Sequence, residues 1–105
     1  MNIKKTKAER KRDREILSLY HKYLTEKELE PLYEQFKQWK TGHLPYDELT
    51  ELIHEFHKKN QEIWKTFNYD NDEYLVFRAK QELDMFNEKD LENELYQRLW
   101  SLYAD

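Results

Sequence analysis

Residues 49–67 read LTELIHEFHKKNQEIWKTF, and this stretch decides the fold. At about 100° per residue, a helix would place six further apolar side chains within roughly 60° of Leu49. They are Leu52, Ile53, Phe56, Ile63, Trp64 and Phe67. Charged and polar residues fill the opposite side. The pattern therefore predicts a long amphipathic helix that buries one stripe of side chains.

Two helices are predicted before this stretch. The first covers residues 8–23, and Thr25 with Glu28 forms a capping-box pattern that opens the second. Pro31 is acceptable only near the start of that second helix, which could instead begin at Glu30. Thr41 and Gly42 end the second helix, because glycine adopts the left-handed conformation at little cost.

Helices are also predicted after residue 67. Asp70 and Glu73 repeat the capping pattern and open a fourth helix, and Asn87 with Asp90 offers a weaker restart. The apolar stripe changes register at this restart, because the step from Phe86 to Leu91 is five residues, and this favours a kink or short break before a last helix. One continuous helix over residues 71–103 is the alternative.

Composition supports an all-α chain. The 105 residues include one glycine and two prolines, and most positions hold strong helix formers. This length suits one domain, here residues 1–105, because it can bury a single core. Short connections favour antiparallel neighbours, so we expect a small bundle of four to five antiparallel helices.

The absence of cysteine excludes disulfides, zinc–thiolate sites and thiol catalysis. It is also typical of a chain in the reducing cytoplasm, where we expect this protein. No run approaches the roughly 20 apolar residues that a membrane span needs, so no membrane association is expected. Sixteen aromatic residues argue against a disordered chain, although 38% of the residues are charged.

Charge is distributed unevenly along the chain. The first fourteen residues carry a net charge of +5, whereas the whole chain carries −4, so the other ninety-one residues carry −9. Seven cationic side chains are candidates for contacts with phosphate or with an acidic partner: Lys4, Lys5, Lys7, Arg10, Lys11, Arg12 and Arg14. We expect this segment to be a frayed or mobile start of the first helix.

Phosphate contacts from this segment would weaken steeply with salt. The segment contains no aromatic residue that could stack on a base, and it lacks the apolar face of an interfacial membrane helix. Two other interpretations stay open: a solvated terminus, and a terminus that docks on the acidic part of its own or a neighbouring chain.

Little in the sequence indicates catalysis. Glu51 and His54 have the Glu-x-x-His spacing of di-iron bundles, but they lie opposite the apolar stripe and have no second copy. No glycine-rich phosphate loop exists, and neither serine follows a glycine-rich turn. We therefore expect no enzyme, no cofactor and no bound metal.

Aromatic residues in the last third of the chain occupy a second side of their helices. A small helical chain that is apolar on two sides either places these helices centrally or uses them for contact, and we favour contact. The predicted interface residues are Tyr74, Phe77, Met85, Tyr96, Trp100 and Tyr103.

The leading hypothesis is a non-enzymatic helical module for protein–protein interaction that associates with itself. One alternative is a nucleic-acid-associated accessory protein that uses the basic segment. A more distant alternative is a metal-binding bundle of carboxylate and histidine side chains.

Overall fold

The computed structural model describes residues 5–69 and 71–103, with only the backbone of residue 103. It contains five helices: α1 Lys7–Lys40, α2 Tyr46–Tyr69, α3 Asp72–Glu82, α4 Glu88–Leu91 and α5 Glu94–Tyr103. No described residue lies in a strand. The all-α prediction is confirmed.

The prediction of two helices before residue 41 is wrong, because α1 is one helix of 34 residues. Thr25 lies inside it, and its buried Oγ1 has no hydrogen-bond partner among the described residues, so it caps nothing. Helix α1 packs against α2 on both sides of Thr25, where the two predicted helices were expected to meet. Before Thr25, the ring of Tyr20 lies 5.8 Å from that of Phe67, and after it Glu28 pairs with Lys59 at 3.3 Å. These contacts hold residues 20–28 helical despite the local capping pattern.

The predicted amphipathic helix is confirmed as α2. Thr41 and Gly42 end α1 as expected, and Gly42 has the positive φ of 82° that favours glycine. Later residues of α1 contact earlier residues of α2, as the pairs Tyr20–Phe67 and Glu28–Lys59 show. The two helices therefore form an antiparallel hairpin.

The predicted break before the last helix is also confirmed, and it begins earlier than expected, because α3 ends at Glu82. Asn71 caps α3 by accepting a hydrogen bond from the backbone N–H of Glu73 at 2.8 Å, and the expected cap Asp70 lies outside the described residues. Asn87 and Asp90 form a reciprocal capping box at the start of α4. One continuous helix over residues 71–103 is thereby ruled out.

The main core lies at one end of the hairpin. Ile16 and Tyr20 of α1 meet Val76 and Ala79 of α3 there. The molecule measures 60 × 27 × 21 Å, and its radius of gyration is 18.2 Å, whereas a compact chain of this length has about 13 Å. A compact bundle of four or five antiparallel helices is not what the described residues form; a long hairpin carries short helices at one end.

Candidate interaction surface

The aromatic residues of the C-terminal third form a cluster inside the chain. Phe77 is fully buried and Tyr96 is 3% exposed. The Phe77 ring lies 5.4 to 5.5 Å from the rings of Phe86, Tyr96 and Trp100, and Phe86 and Trp100 are 4.7 Å apart. These tilted and edge-on arrangements are the ones that aromatic pairs prefer. We call Phe77, Phe86, Tyr96 and Trp100 the aromatic cluster.

The predicted interface is corrected at Phe77 and Tyr96, which are buried inside the chain, and stays a prediction at the other four residues. Phe77 and Tyr96 are not exposed, Trp100 is half-buried in the aromatic cluster, and Met85 packs against the main core. Tyr74 is half-buried, and the side chain of Tyr103 lies outside the described residues. Because the helix breaks after α3, α5 can fold back onto α3. One side of α3 packs against α1, and Phe77 on the other side contacts the rings of Phe86, Tyr96 and Trp100. The helix α3 is therefore central.

An ion pair fastens α4 to α3. Lys80 Nζ donates a 2.8 Å hydrogen bond to Asp90 Oδ1 and lies 4.9 Å from the centre of the Tyr96 ring. Burial alone would lower the pKa of Lys80, but the hydrogen bond to Asp90 outweighs burial and raises this pKa. Both partners of the pair are nearly buried. This contact is structural.

Exposed apolar side chains lie on the hairpin as well as at Leu91, Leu95 and Leu102 of α4 and α5. Five residues of α1 and α2 form what we call the hairpin face. Their exposed fractions are 42% for Leu29, 61% for Tyr33, 41% for Phe36, 37% for Ile53 and 51% for Trp64. These five side chains are exposed to solvent, whereas other apolar side chains of the same two helices are buried. The hairpin face is the best candidate for a contact surface.

Helix geometry places these five residues on one side. At about 100° per residue, Leu29, Tyr33 and Phe36 lie roughly 90° away from the direction in which α1 faces α2. Ile53 and Trp64 lie a similar angle from the direction in which α2 faces α1, and antiparallel packing brings both flanks to the same side of the hairpin. The ring of Trp64 reaches back to His21 of α1, 4.4 Å between centroids.

The sequence marks these side chains as apolar, and it predicts burial for the stripe that contains Ile53 and Trp64. Ile53 and Trp64 belong to the stripe of residues 49–67, and Leu29, Tyr33 and Phe36 recur at helical spacing. When a helix packs against a single neighbouring helix, that neighbour buries only part of an apolar stripe this wide. Among the described helices no third one lies beside residues 29–36, and this fact of tertiary structure cannot be read from spacing.

The basic segment divides into paired and unpaired cations. Lys5 forms ion pairs with Asp13 and Glu73, so it ties the start of the chain to α3. Burial would lower the pKa of Lys5, but hydrogen bonds to these two carboxylates raise it overall. Arg12 lies 4.0 Å from Glu15. Lys5 therefore contacts acidic residues of its own chain, which was one of the interpretations left open for the basic segment.

The remaining cations are helical and exposed. Among the described residues, no carboxylate lies within 4.0 Å of Lys7, Arg10, Lys11 or Arg14. All four belong to α1, which begins at Lys7, and the expectation of a frayed or mobile start stays a prediction. Lys4 lies outside the described residues.

No metal site is apparent in the described part of the chain. Glu51 and His54 are exposed, and the described residues contain no group of three or more potential ligands. Within the same ranges, no helix has the length and hydropathy needed to cross a membrane. Comparisons with protein-family models, with curated proteins and with solved structures find no match for this chain.

Because Tyr20 lies in the main core, we expect the stability of the folded chain to decrease at alkaline pH. Burial raises the pKa of Tyr20 to about 12, and the nearby Glu82 carboxylate adds to the shift. The unfolded chain loses this proton near pH 10 while the folded chain keeps it, so stability falls as pH rises from 10 to 12. We expect a loss of roughly 2 kcal/mol in the free energy of unfolding by pH 12 from this group.

Urea unfolding at pH 9 and pH 11.5, compared with Tyr20→Phe, measures the contribution of Tyr20. The variant cannot ionise at this position, so its stability should change less between the two pH values. Equal changes in both proteins would contradict the assignment.

Proposed function

We propose that this chain is a non-enzymatic helical interaction module that associates with a second copy of itself through the hairpin face. One observation carries the proposal: Leu29, Tyr33, Phe36, Ile53 and Trp64 leave 37 to 61% of their surfaces exposed on one side of an elongated hairpin. Phe77 and Tyr96, two of the residues that were expected to provide the interface, are buried inside the chain.

The area of the hairpin face supports a stable contact. An aromatic side chain offers about 150–250 Å², so three half-exposed rings with Leu29 and Ile53 supply on the order of 400–500 Å². This equals the largest apolar patch on a typical monomer, about 300–600 Å², and such patches are often functional. With its polar rim, such a patch approaches the roughly 800 Å² per partner of a standard interface.

Charge favours a second copy as the occupant. The hairpin face contains no charged residue, and its margins carry both signs, as in the pairs Lys37–Glu34 at 3.2 Å and Lys22–Glu26 at 3.8 Å. Identical copies would therefore not repel one another across this surface, and marginal charges can find opposite partners.

The spacing on α1 also suits helix pairing. Leu29, Tyr33 and Phe36 follow one another by four and three residues, the spacing with which antiparallel helices interlock. Two hairpins joined face to face place four long helices around a shared apolar layer. The antiparallel bundle expected from the sequence is thus completed between chains in this proposal, rather than within one chain. The reducing cytoplasm fits a cysteine-free module of this kind.

Sedimentation equilibrium at micromolar concentration tests the proposal. We expect a reversible dimer for the natural chain, and at least about 30-fold weaker association for Phe36→Asp, because a central aromatic side chain contributes about 2 kcal/mol or more. Circular dichroism should show unchanged helix content in this variant, since Phe36 is only partly covered.

Leu91→Asp is the matched control. Leu91 is 60% exposed on α4, outside the hairpin face, and receives the same new charge. Its association should equal that of the natural chain. A strictly monomeric natural chain, or equal weakening by both substitutions, would overturn the proposal.

A further inference from the structure

The first four turns of α1 present a line of cations. Lys7, Lys11, Arg14 and Lys22 recur on one side of the helix, and Ser18 occupies the remaining position. At 1.5 Å per residue this line, which we call the basic stripe, extends over about 22 Å. All five side chains are exposed.

Few carboxylates compensate the basic stripe. Within the described ranges, Lys7, Lys11 and Arg14 have no acidic partner within 4.0 Å. Lys22 lies 3.8 Å from Glu26, but both side chains are at least half exposed and such pairs are weak. The carboxylate of Asp13 is already held by Lys5. The charge of the stripe is therefore available to a ligand.

The shape of this surface suits an extended anion. An open depression of about 790 Å³ lies here, and its lining contains four cations and one carboxylate: Lys11, Arg12, Arg14, Glu15, Ser18, Leu19 and Lys22. It is shallow and follows the helix, and its one apolar member, Leu19, lies at the side. A protein partner normally inserts aromatic or aliphatic anchors into a pocket, which this depression does not provide. A membrane would need an apolar face beside the cations.

We infer that the basic stripe binds the phosphate backbone of a nucleic acid without reading its sequence. Phosphates follow one another at regular short intervals along a strand, as the cations do along α1. The rest of the chain carries a net negative charge and repels the backbone elsewhere, so contact is confined to this side of α1. The stripe and the hairpin face share no residue, and they adjoin at Lys22, which belongs to the stripe and borders the hairpin face.

Fluorescence anisotropy with a labelled duplex of about 20 base pairs, as DNA and as RNA, tests this binding. Four phosphate contacts predict a slope of about −3.6 in a plot of log affinity against log salt, or roughly 100-fold weaker binding at 200 mM than at 50 mM salt. The triple variant Lys7→Gln, Lys11→Gln, Arg14→Gln should reduce affinity at 50 mM at least tenfold and lower the slope by about 3.

The control triple Lys37→Gln, Lys58→Gln, Lys65→Gln changes net charge equally. These exposed lysines each pair with a glutamate far from the stripe, so affinity should stay unchanged. Three results would overturn the inference: no binding at 50 mM salt, equal loss in both triples, or binding to phosphatidylserine vesicles without binding to either duplex. Sedimentation of the stripe variant should match the natural chain, which separates this result from failure of the dimer.

Discussion

Replacing Asp90 with alanine is expected to destabilise the chain by about 3 kcal/mol or more. Asp90 Oδ1 accepts the 2.8 Å hydrogen bond from Lys80, while Oδ2 accepts one from the backbone N–H of Asn87 at 2.9 Å. The substitution leaves the nearly buried ammonium of Lys80 without its counter-ion and removes half of the capping box of α4. Breaking a buried pair from one side costs about 3–5 kcal/mol.

Urea unfolding followed by circular dichroism measures this loss. Glu92→Ala, at an exposed carboxylate two residues further on, is the matched control and should change stability by less than about 0.5 kcal/mol. Adding Lys80→Met to Asp90→Ala should recover part of the loss, because no ammonium then remains unpaired. If Asp90→Ala unfolds at the same urea concentration as Glu92→Ala, the ion pair does not hold α4 to α3.

Replacing Phe77 with alanine is expected to be equally damaging, at about 3–5 kcal/mol. Phe77 is fully buried, and its ring contacts those of Phe86, Tyr96 and Trp100. Alanine leaves a cavity between α3 and α5 that the facing rings cannot refill without leaving their rotamers. We therefore expect the near-ultraviolet signal of the aromatic cluster to weaken along with the unfolding midpoint.

Leu102→Ala supplies the comparison for Phe77→Ala, since Leu102 lies on α5 but is 68% exposed. Its stability should stay within about 0.5 kcal/mol of the natural chain. A small loss for Phe77→Ala, similar to that of Leu102→Ala, would mean that α5 does not pack on α3 in solution. In that case the aromatic residues would again become candidates for an external interface.

Local signals in the sequence were sufficient to predict the position of several helices and helix ends. The amphipathic stripe predicted α2, Gly42 predicted the end of α1, and Asn87 with Asp90 predicted the restart after the break. Each of these features depends on residues close together in the chain. Thr25 and Glu28 gave an equally plausible local signal and were misleading, because packing of α1 on α2 overrides a capping pattern.

Predicting the contact surface would have required information on how distant parts of the chain pack together. Phe77 and Trp64 are both aromatic residues on amphipathic helices, and spacing alone does not distinguish them. Phe77 is covered because α5 folds back over α3, whereas Trp64 stays half exposed because α2 has only α1 beside it at that position. Which apolar side chain becomes core and which becomes surface is decided by the number of neighbouring helices.

Intermolecular paramagnetic broadening tests the central claim most directly, because it locates the contact as well as detecting it. The chain has no cysteine, so Lys37→Cys carries a single nitroxide beside the hairpin face. This labelled chain is mixed with a ¹⁵N-labelled natural chain. We predict broadening of amide signals around residues 29–36 and 53–64 of the ¹⁵N chain, with signals of α5 unaffected. Absence of intermolecular broadening at concentrations where both chains are folded, or broadening centred on α3 to α5, would contradict self-association through the hairpin face.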